Sequence, residues 1–506
     1  MHDGQTARRL AGLTSWYSDW SGLRVAVFGL GKTGFAVTDT LAELGADVLV
    51  VTASADQERA MLVGVVGARL HVEPGMSDAP DVLRDFDPQL VVVSPGLHPD
   101  NPLIAWARSE EIPIWGDIEL AWRVRDKTGA PAEWINVTGT NGKTTTVQLT
   151  ATMLVEAGIR AAPCGNIGVP VLDAVRDPAG FDALVVELSS YQLYWINRNP
   201  GGELSPYSSA CLNVAEDHLD WHGSFDEYRS AKARVYGNTR IACVYNREDP
   251  STEQMVRDAD VIEGARAIGF GLQVPGPSDF GIIDGILCDR AFLEDRAHRA
   301  IELTTIGELD DAGLSAPHIV ANVLAASALA RSFGVEPETI HDVLSRFRLD
   351  RHRVETVLER DGVRWVDDSK ATNPHAADAS LKAFESVVWI AGGLLKGVDI
   401  DSLVRTHAGR LRAAVLIGVD RDALRHSFER HAPGLPVYEV GSAETNEVMP
   451  IAVRFAHDVA EPGDTVLLAP AAASMDQFLD YAERGRLYQA AVHGIYGGEA
   501  DDESAS

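Results

Sequence analysis

From Val137 to Thr145 the chain reads Val-Thr-Gly-Thr-Asn-Gly-Lys-Thr-Thr, and few folds can use such a stretch. An apolar, β-prone run (Trp134, Ile135, Val137) leads into a glycine-bracketed loop, and a segment of helical character follows through Val147, Leu149, Met153 and Leu154. Strand, loop and helix N-terminus together gather backbone N–H groups where the helix dipole is positive, which makes an anion site. Gly142 permits close approach of the main chain, Lys143 supplies a point charge to the β- and γ-phosphates, and the Thr144 hydroxyl can bind Mg²⁺. The spacing is shorter than the full Walker pattern, because two residues rather than four separate Gly139 from Gly142. A nucleoside triphosphate is the expected ligand. The alternative is an ordinary strand-to-helix turn with a solvated lysine.

At 506 residues the chain has room for about three domains, each able to bury its own core. The composition, 45% apolar and 23% charged, is that of a soluble globular protein. A formal charge of −30 argues against a nucleic-acid partner and requires any anion site to concentrate positive charge locally. Cys164, Cys211, Cys243 and Cys288 show no metal-ligand spacing and read as reduced thiols of a cytoplasmic protein. The polar segment Met1 to Arg9 lacks a signal core, and no apolar run approaches a membrane span.

The first segment alternates strands and helices: Arg24 to Phe28, then Gly29-Leu30-Gly31-Lys32-Thr33-Gly34 and a helical stretch; Ala46 to Thr52; Leu90 to Val93, ending in Ser94-Pro95-Gly96. This is the pattern of a doubly wound parallel sheet, with ligand loops at the carboxyl ends of its strands. Gly29, Gly31 and Gly34 fit a dinucleotide fingerprint. The second strand, however, ends in Val50-Val51-Thr52-Ala53, without the acidic residue that would hold the ribose of NAD. A diphosphate-bearing ligand other than NAD is expected, with a purely structural glycine turn as the alternative. Lys127 to Pro131 reads as a linker, and the stretches Asn199 to Gly202 and Gly271 to Asp279 as surface excursions.

In the central segment Asp182 to Val186 runs apolar into Glu187, a carboxylate placed at a strand tip where it can hold Mg²⁺. Ser208 to Val214 is a further strand, ending in Ala215-Glu216-Asp217-His218. His218 is either a hydrogen-bonded structural histidine or a metal or substrate contact. Ser224-Phe225-Asp226-Glu227 is a capping box opening a helix, on which Lys232 reads as a surface lysine. Pro317 to Asn322 opens an alanine-rich helix. The third segment, from Arg351-His352-Arg353, again alternates: strands near Val363, Val387, Ala414 and Val466 end in small or polar clusters, as a parallel sheet with a ligand edge requires. Gly497 to Ser506 is small and acidic and is expected to be disordered.

The order of these motifs is more specific than any one of them. Gly139 to Thr144, Gly165-Asn166-Ile167-Gly168, Glu187-Leu188-Ser189-Ser190, Asn213 to His218, Lys232, His352-Arg353 and Asp368-Ser369-Lys370 together resemble the Mur ligase family, ATP-dependent amide-bond-forming enzymes of peptidoglycan synthesis. The resemblance spans the chain apart from the first dozen residues and the acidic tail. Within the family, the stretches from Glu187 to Leu193 and from Ala473 to Phe478 resemble the members that add D-glutamate to UDP-N-acetylmuramoyl-L-alanine.

The resemblance implies an α/β protein of three domains. These are a Rossmann-like N-terminal domain (1–128) for the UDP part of the substrate, a central P-loop ATPase-like domain with a mostly parallel sheet (129–349), and a Rossmann-like C-terminal domain (350–506) for the amino acid. It implies that Gly29, Leu30, Gly31, Lys32, Thr33 and Gly34 hold the UDP diphosphate and uridine, and that Asn166 and Ser189 contact the muramoyl-alanine part. ATP falls to Gly139, Thr140, Asn141, Gly142, Lys143, Thr144 and Thr145, with Asn322 and Asp368 at adenine and ribose and Arg353 at the γ-phosphate. Mg²⁺ falls to Thr144, Glu187 and His218. Lys232 matches the lysine that is carbamylated in this family, a change that turns a cation into an anion able to orient Mg²⁺. Lys370, Thr372, Lys396, Ser474 and Phe478 would surround D-glutamate. A cytoplasmic monomer is expected, without nucleic-acid or membrane partners. Competing readings are a sister ligase or folylpolyglutamate-type synthetase adding a different amino acid, a non-catalytic nucleotide-binding scaffold, and an NAD-dependent oxidoreductase.

Overall fold

A computed structural model describes residues 4–419, 421–441 and 444–497, with the side chains of residues 4, 5 and 497 excepted. The expected disorder of the acidic tail falls outside these residues, apart from Gly497. Three sheets, mostly parallel, carry the fold. The first has the strands Arg69–Val72, Asp47–Thr52, Arg24–Phe28, Leu90–Val93 and Ile114–Gly116 in that spatial order, all parallel. The order reverses at Arg24–Phe28, so the Gly29 loop lies beside Ser94, whose hydroxyl donates to the Gly29 carbonyl at 3.3 Å.

The second sheet runs Ile301–Thr305, Ile286–Asp289, Asp279–Ile283, Arg266–Phe270, Ala242–Asn246, Ser208–Cys211, Glu133–Thr138, Ala183–Glu187, Ala161–Gly165. Its first three strands pair antiparallel and the remaining pairings are parallel. The strand expected over Ser208 to Val214 stops at Cys211, leaving Asn213 free to serve a loop. The third sheet runs Glu355–Arg360, Val363–Asp367, Thr465–Leu468, Val387–Gly392, Leu411–Ile417, Val437–Glu439, with only the first strand antiparallel.

Strands buried on both faces explain the near-continuous apolar runs in the sequence. Along Val387–Gly392 alternate side chains enter different cores. Val388 and Ile390 pack with Val448, Ala452 and Tyr488, while Val387, Trp389 and Ala391 pack with Leu381, Leu403 and Phe428. The period of two delivers each residue to its own face.

The chain divides into two compact units. One holds the residues up to Val214 with Arg229–Ser315 and Ile319–Phe347, and so contains the first two sheets; the other holds Ala215–Tyr228, Ala316–His318 and the residues from Arg348 on. Inside the first unit the two sheets are tied by polar groups. The fully buried Arg123 guanidinium, 4.0 Å above the Trp115 ring, donates to Glu119, to the carbonyls of Leu10 and Leu13, and to that of Pro200. Asn199 Nδ2 donates to Glu119 Oε2 at 2.8 Å and to the Ile114 carbonyl. The stretch Asn199 to Gly202 exposes Pro200 as a surface excursion would, but the Pro200 carbonyl and the Asn199 amide also complete the hydrogen bonding of a buried ion pair. The Gly271 to Asp279 loop does expose Gln273 and Val274, although Arg290 holds the Pro275 carbonyl. The linker reading of Lys127 to Pro131 is modified in the same way. Lys127 pairs with Glu43 and lies over the Trp16 ring, which fastens the segment to the first sheet's helices.

Gly34 shows why the first glycine loop is built as it is. A Cβ at this position would lie 2.2 Å from the Gly29 carbonyl oxygen, so the helix Lys32–Glu43 can start against the strand only without one. Gly34→Ala is expected to cost about 1–3 kcal/mol through forced displacement of that helix. The check is the denaturant midpoint, which should fall; an unchanged midpoint would show that the helix moves aside freely.

Candidate active site

In the first unit, Glu133–Thr138 ends at the glycine loop and the helix Lys143–Glu156 leaves it, with Gly142 at φ +84° as the N-cap. The loop is braced by Asn213, whose Oδ1 accepts from Asn141 N–H at 2.8 Å while its Nδ2 donates to the Asn141 carbonyl at 3.1 Å. Lys143 Nζ donates to the carbonyls of Gly139 and Thr140, both at 2.8 Å, and so lies along the loop. Thr144 Oγ1 donates to Glu187 Oε2 at 3.0 Å, and Asn166 Nδ2 to Glu187 Oε1 at 3.1 Å. Two residues named from separate stretches, Thr144 and Asn166, thus meet on the buried carboxylate of a third, Glu187, at a strand tip. A hydroxyl and a carboxylate beside the glycine loop offer hard oxygen donors of the kind that suit Mg²⁺. Asn322 lies against the head of the same helix, where its Oδ1 would be 2.2 Å from a Cβ on Gly142. Thr145 is buried and its hydroxyl has no hydrogen-bond partner, so it faces the protein interior.

Lys232 corrects the surface reading. Only 2% of it is exposed, and its Nζ donates to the Gly139 carbonyl at 2.8 Å. The helix Phe225–Ala233 does open at the expected cap, with Glu227 N–H donating to Ser224 Oγ, but its polar sequence conceals an inward-facing lysine. Ser189 is the N-cap of the helix Ser190–Trp195. In the first glycine loop Leu30 is buried, Lys32 exposed and Thr33 half-buried.

In the second unit His218 takes a left-handed backbone (φ +54°), its N–H donating to Asp217 Oδ1, with its Nε2 3.6 Å from Asp217 Oδ2. Asp217 is buried and also lies 3.9 Å from Lys396 Nζ and accepts from Asn373 Nδ2 at 3.4 Å. His218 and Lys396 therefore share one carboxylate. Arg353 is flanked by two left-handed residues, His352 (φ +67°) and Val354 (φ +47°). The first is held by its ring on Asp367 at 2.7 Å, the second by its N–H on Asp368 at 3.3 Å. Asp368 is used internally by Val354 and Ser380, and burial pushes its carboxyl up to about 6 against the pull of these donors and of Arg353. The Lys370 ammonium lies 3.8 Å from the centre of the Tyr481 ring, Thr372 N–H donates to the Lys370 carbonyl, and Ser474 is buried with its carbonyl accepting from Gln477 and Phe478. Phe478 is packed in the core beneath the sheet, beside Trp365 and Tyr488.

Tyr481 and Arg484 were not named from sequence, and each meets its partner across a long separation. Asn213 and Asp217 were named only as part of the stretch Asn213 to His218, without their partners Asn141 and Asn373. Fully buried Arg484 donates to Ser369 Oγ and O and to the Ala472 carbonyl, fastening together the two strand-end loops that carry Lys370 and Ser474. A lone arginine in a helix gives no local signal for this. For Gln192 a signal existed, since Ser189-x-x-Gln192 has capping-box spacing.

The family model described as the Mur ligase middle domain matches residues 137–330, and that described as the Mur ligase, glutamate ligase domain matches residues 352–472. The UDP-N-acetylmuramoylalanine--D-glutamate ligase of Leifsonia xyli subsp. xyli is 69% identical over 504 residues, covering 98% of each protein. The protein of the same name from Streptomyces coelicolor is 50% identical over 476 residues, covering 94% of this chain and 98% of that protein. Among solved structures, the UDP-N-acetylmuramate-alanine ligase MurC of Thermotoga maritima aligns with a TM-score of 0.55 at 20% identity, over 93% of this chain and 99% of that one. A pseudomurein peptide ligase type C from Methanothermus fervidus gives 0.56 at 15% identity, over 93% and 100%. At such identities the structures speak to the fold.

Proposed function

We propose that this chain, which belongs to the Mur ligase family, is an ADP-forming ligase that joins D-glutamate to UDP-N-acetylmuramoyl-L-alanine in peptidoglycan precursor synthesis. The observation that carries the reading is full-length identity of 69% to a ligase of that name. The meeting of Thr144, Asn166 and Glu187 beside Lys143 gives it a site for the chemistry.

A carboxylate is a poor acyl donor, so the alanine carboxylate first takes the γ-phosphoryl group of ATP. An O–P bond forms to the carboxylate as the bond to the ADP oxygen breaks. One anion must approach another, and Lys143 and Arg353 lower that barrier by offsetting charge. Thr144 and Glu187 would hold Mg²⁺, with His218 assisting a second ion, and the bound metal would supply further charge neutralisation. The D-glutamate amine then attacks the acyl carbon, phosphate departs, and the amine gives up its proton to His218 or to water. Lys370, Thr372, Lys396, Ser474 and Phe478 take the amino acid, and Gly29 to Gly34 with Asn166 and Ser189 take the UDP-linked acyl substrate. Carbamylation would place an anion on Lys232, beside Gly139 at the phosphate loop. No helix among the described residues is long and apolar enough to cross a membrane, and four buried, unbridged cysteines suit a reducing cytoplasm.

The test is phosphate release from ATP with UDP-N-acetylmuramoyl-L-alanine and, separately, D-glutamate, L-glutamate, L-lysine and diaminopimelate. Release with D-glutamate alone is expected. Release with another amino acid would move the protein to a sister activity, and silence with all four would overturn the acyl substrate.

A further inference from the structure

Asp117 lies one residue beyond the strand Ile114–Gly116, at the carboxyl edge of the first sheet, where parallel sheets bind ligands. It is 5% exposed, and its Oδ2 accepts from Gln192 Nε2 at 2.9 Å. Gln192, 3% exposed, belongs to the second sheet's helix Ser190–Trp195. Its other amide atom, Oε1, accepts from Ser189 N–H at 3.1 Å and from Ser189 Oγ at 3.2 Å, while Gln192 N–H approaches Ser189 Oγ at 3.2 Å. An ionised carboxylate can only accept, so Asp117 decides which end of the amide faces it and which end faces Ser189. The contact is backed by packing. Gly116, directly before Asp117, would bring a Cβ to 2.9 Å from Trp195 Cβ, so the helix is docked on the strand end as closely as a glycine allows.

We propose that Asp117 and Gln192 are positioning residues for the UDP-linked acyl substrate: the carboxylate at the edge of the first sheet fixes the Gln192 amide, and through it the Ser189 hydroxyl and backbone. The proposal rests on the reading of Ser189 as a contact of that substrate. It gives the edge that receives the UDP part a physical connection to the residue that meets the muramoyl-alanine part. A turned amide would present N–H₂ to the Ser189 N–H, leaving two donors opposed beside the buried Gln192 side chain.

The experiment compares Ser189→Ala, Asp117→Ala, Asp117→Asn, Gln192→Glu and the pair Asp117→Asn/Gln192→Glu, measuring KM for UDP-N-acetylmuramoyl-L-alanine and for ATP in the full-length protein. Gln192→Glu sets two carboxylates against each other and Asp117→Ala removes the acceptor. Each is expected to raise KM for the UDP-linked substrate about tenfold, with KM for ATP unchanged. Asp117→Asn keeps an acceptor and should stay within about threefold of the wild type. The pair restores the contact with its polarity reversed, Asn donating to Glu, and should recover the wild-type KM to a similar margin. Failure of the pair to recover, or equal rises in both KM values, overturns the proposal. If Ser189→Ala itself leaves the KM for the UDP-linked substrate unchanged, the reading of Ser189 falls and takes the proposal with it. A raised KM in Ser189→Ala beside a silent Gln192→Glu refutes the positioning role alone.

Discussion

Replacing Lys143 with alanine is expected to lower turnover by at least about 10²–10³-fold, the scale of a single cation or donor lost from a transition state. The helix Lys143–Glu156 begins at this residue and the glycine loop ends at it, so its side chain starts where the backbone N–H groups converge. Its ammonium spans the Gly139 and Thr140 carbonyls, a reach that covers the loop from end to end. Removal should cost the fold little, about 1–2 kcal/mol for charge-assisted bonds in a half-buried setting. The loop keeps its shape through Asn213, which grips Asn141 from both sides. The check is ADP release and thermal unfolding measured on the same sample. Normal ADP release by a folded Lys143→Ala protein would refute the nucleotide site.

The second large effect is expected at Lys232. Alanine there should reduce ligation about 100-fold, and acetate or formate added to the assay should partly restore it. An unmodified ammonium on Lys232 is a cation taken out of water beside the Gly139 carbonyl. Carbamylation would join the neutral amine to carbon dioxide through an N–C bond, release a proton to solvent, and set an anion beside the glycine loop. A readout independent of turnover is a ¹³C carbamate signal on adding labelled bicarbonate to the resting protein, absent from Lys232→Ala. Unimpaired ligation by Lys232→Ala, or no labelled signal in the wild type, would sink the carbamate while leaving the nucleotide site standing.

The layout of parallel sheets could be read from the chain because each buried strand is a short apolar run that ends in a cluster of small or polar residues. Val137 to Gly139, Val186-Glu187, Ala391 to Gly393 and Leu468 to Ala471 all follow that form. The meeting of Thr144 with Glu187 was legible for a related reason, since neighbouring strands bring their tips together. What local pattern could not reveal were contacts made by polar side chains across long separations. Lys232 sits in a helix whose sequence looks solvated, yet its partner is 93 residues earlier. Gln192 and Asp117 are 75 residues apart, and Arg484 and Ser369 are 115 apart. Asn199 to Gly202 reads as a loop because asparagine, proline and glycine favour turns; that they also satisfy a buried ion pair is a fact of tertiary structure.

The Arg123 cluster bears on how this protein can be taken apart. A fragment ending at residue 128 would keep Glu119 and the carbonyls of Leu10 and Leu13, but would lose the Pro200 carbonyl and the Asn199 amide that complete the pair. The same cut strips Trp195 from Gly116 and Arg176 from Asp39, Thr40 and Glu43. Several of these losses fall near the carboxyl end of Ile114–Gly116, on the rim that a UDP-linked ligand would use. Small molecules selected against such a fragment would meet a rearranged rim, and their affinities would carry over poorly. Inhibitor discovery aimed at that rim therefore belongs on the intact polypeptide, where Trp195, Asn199 and Pro200 hold the strand end in place.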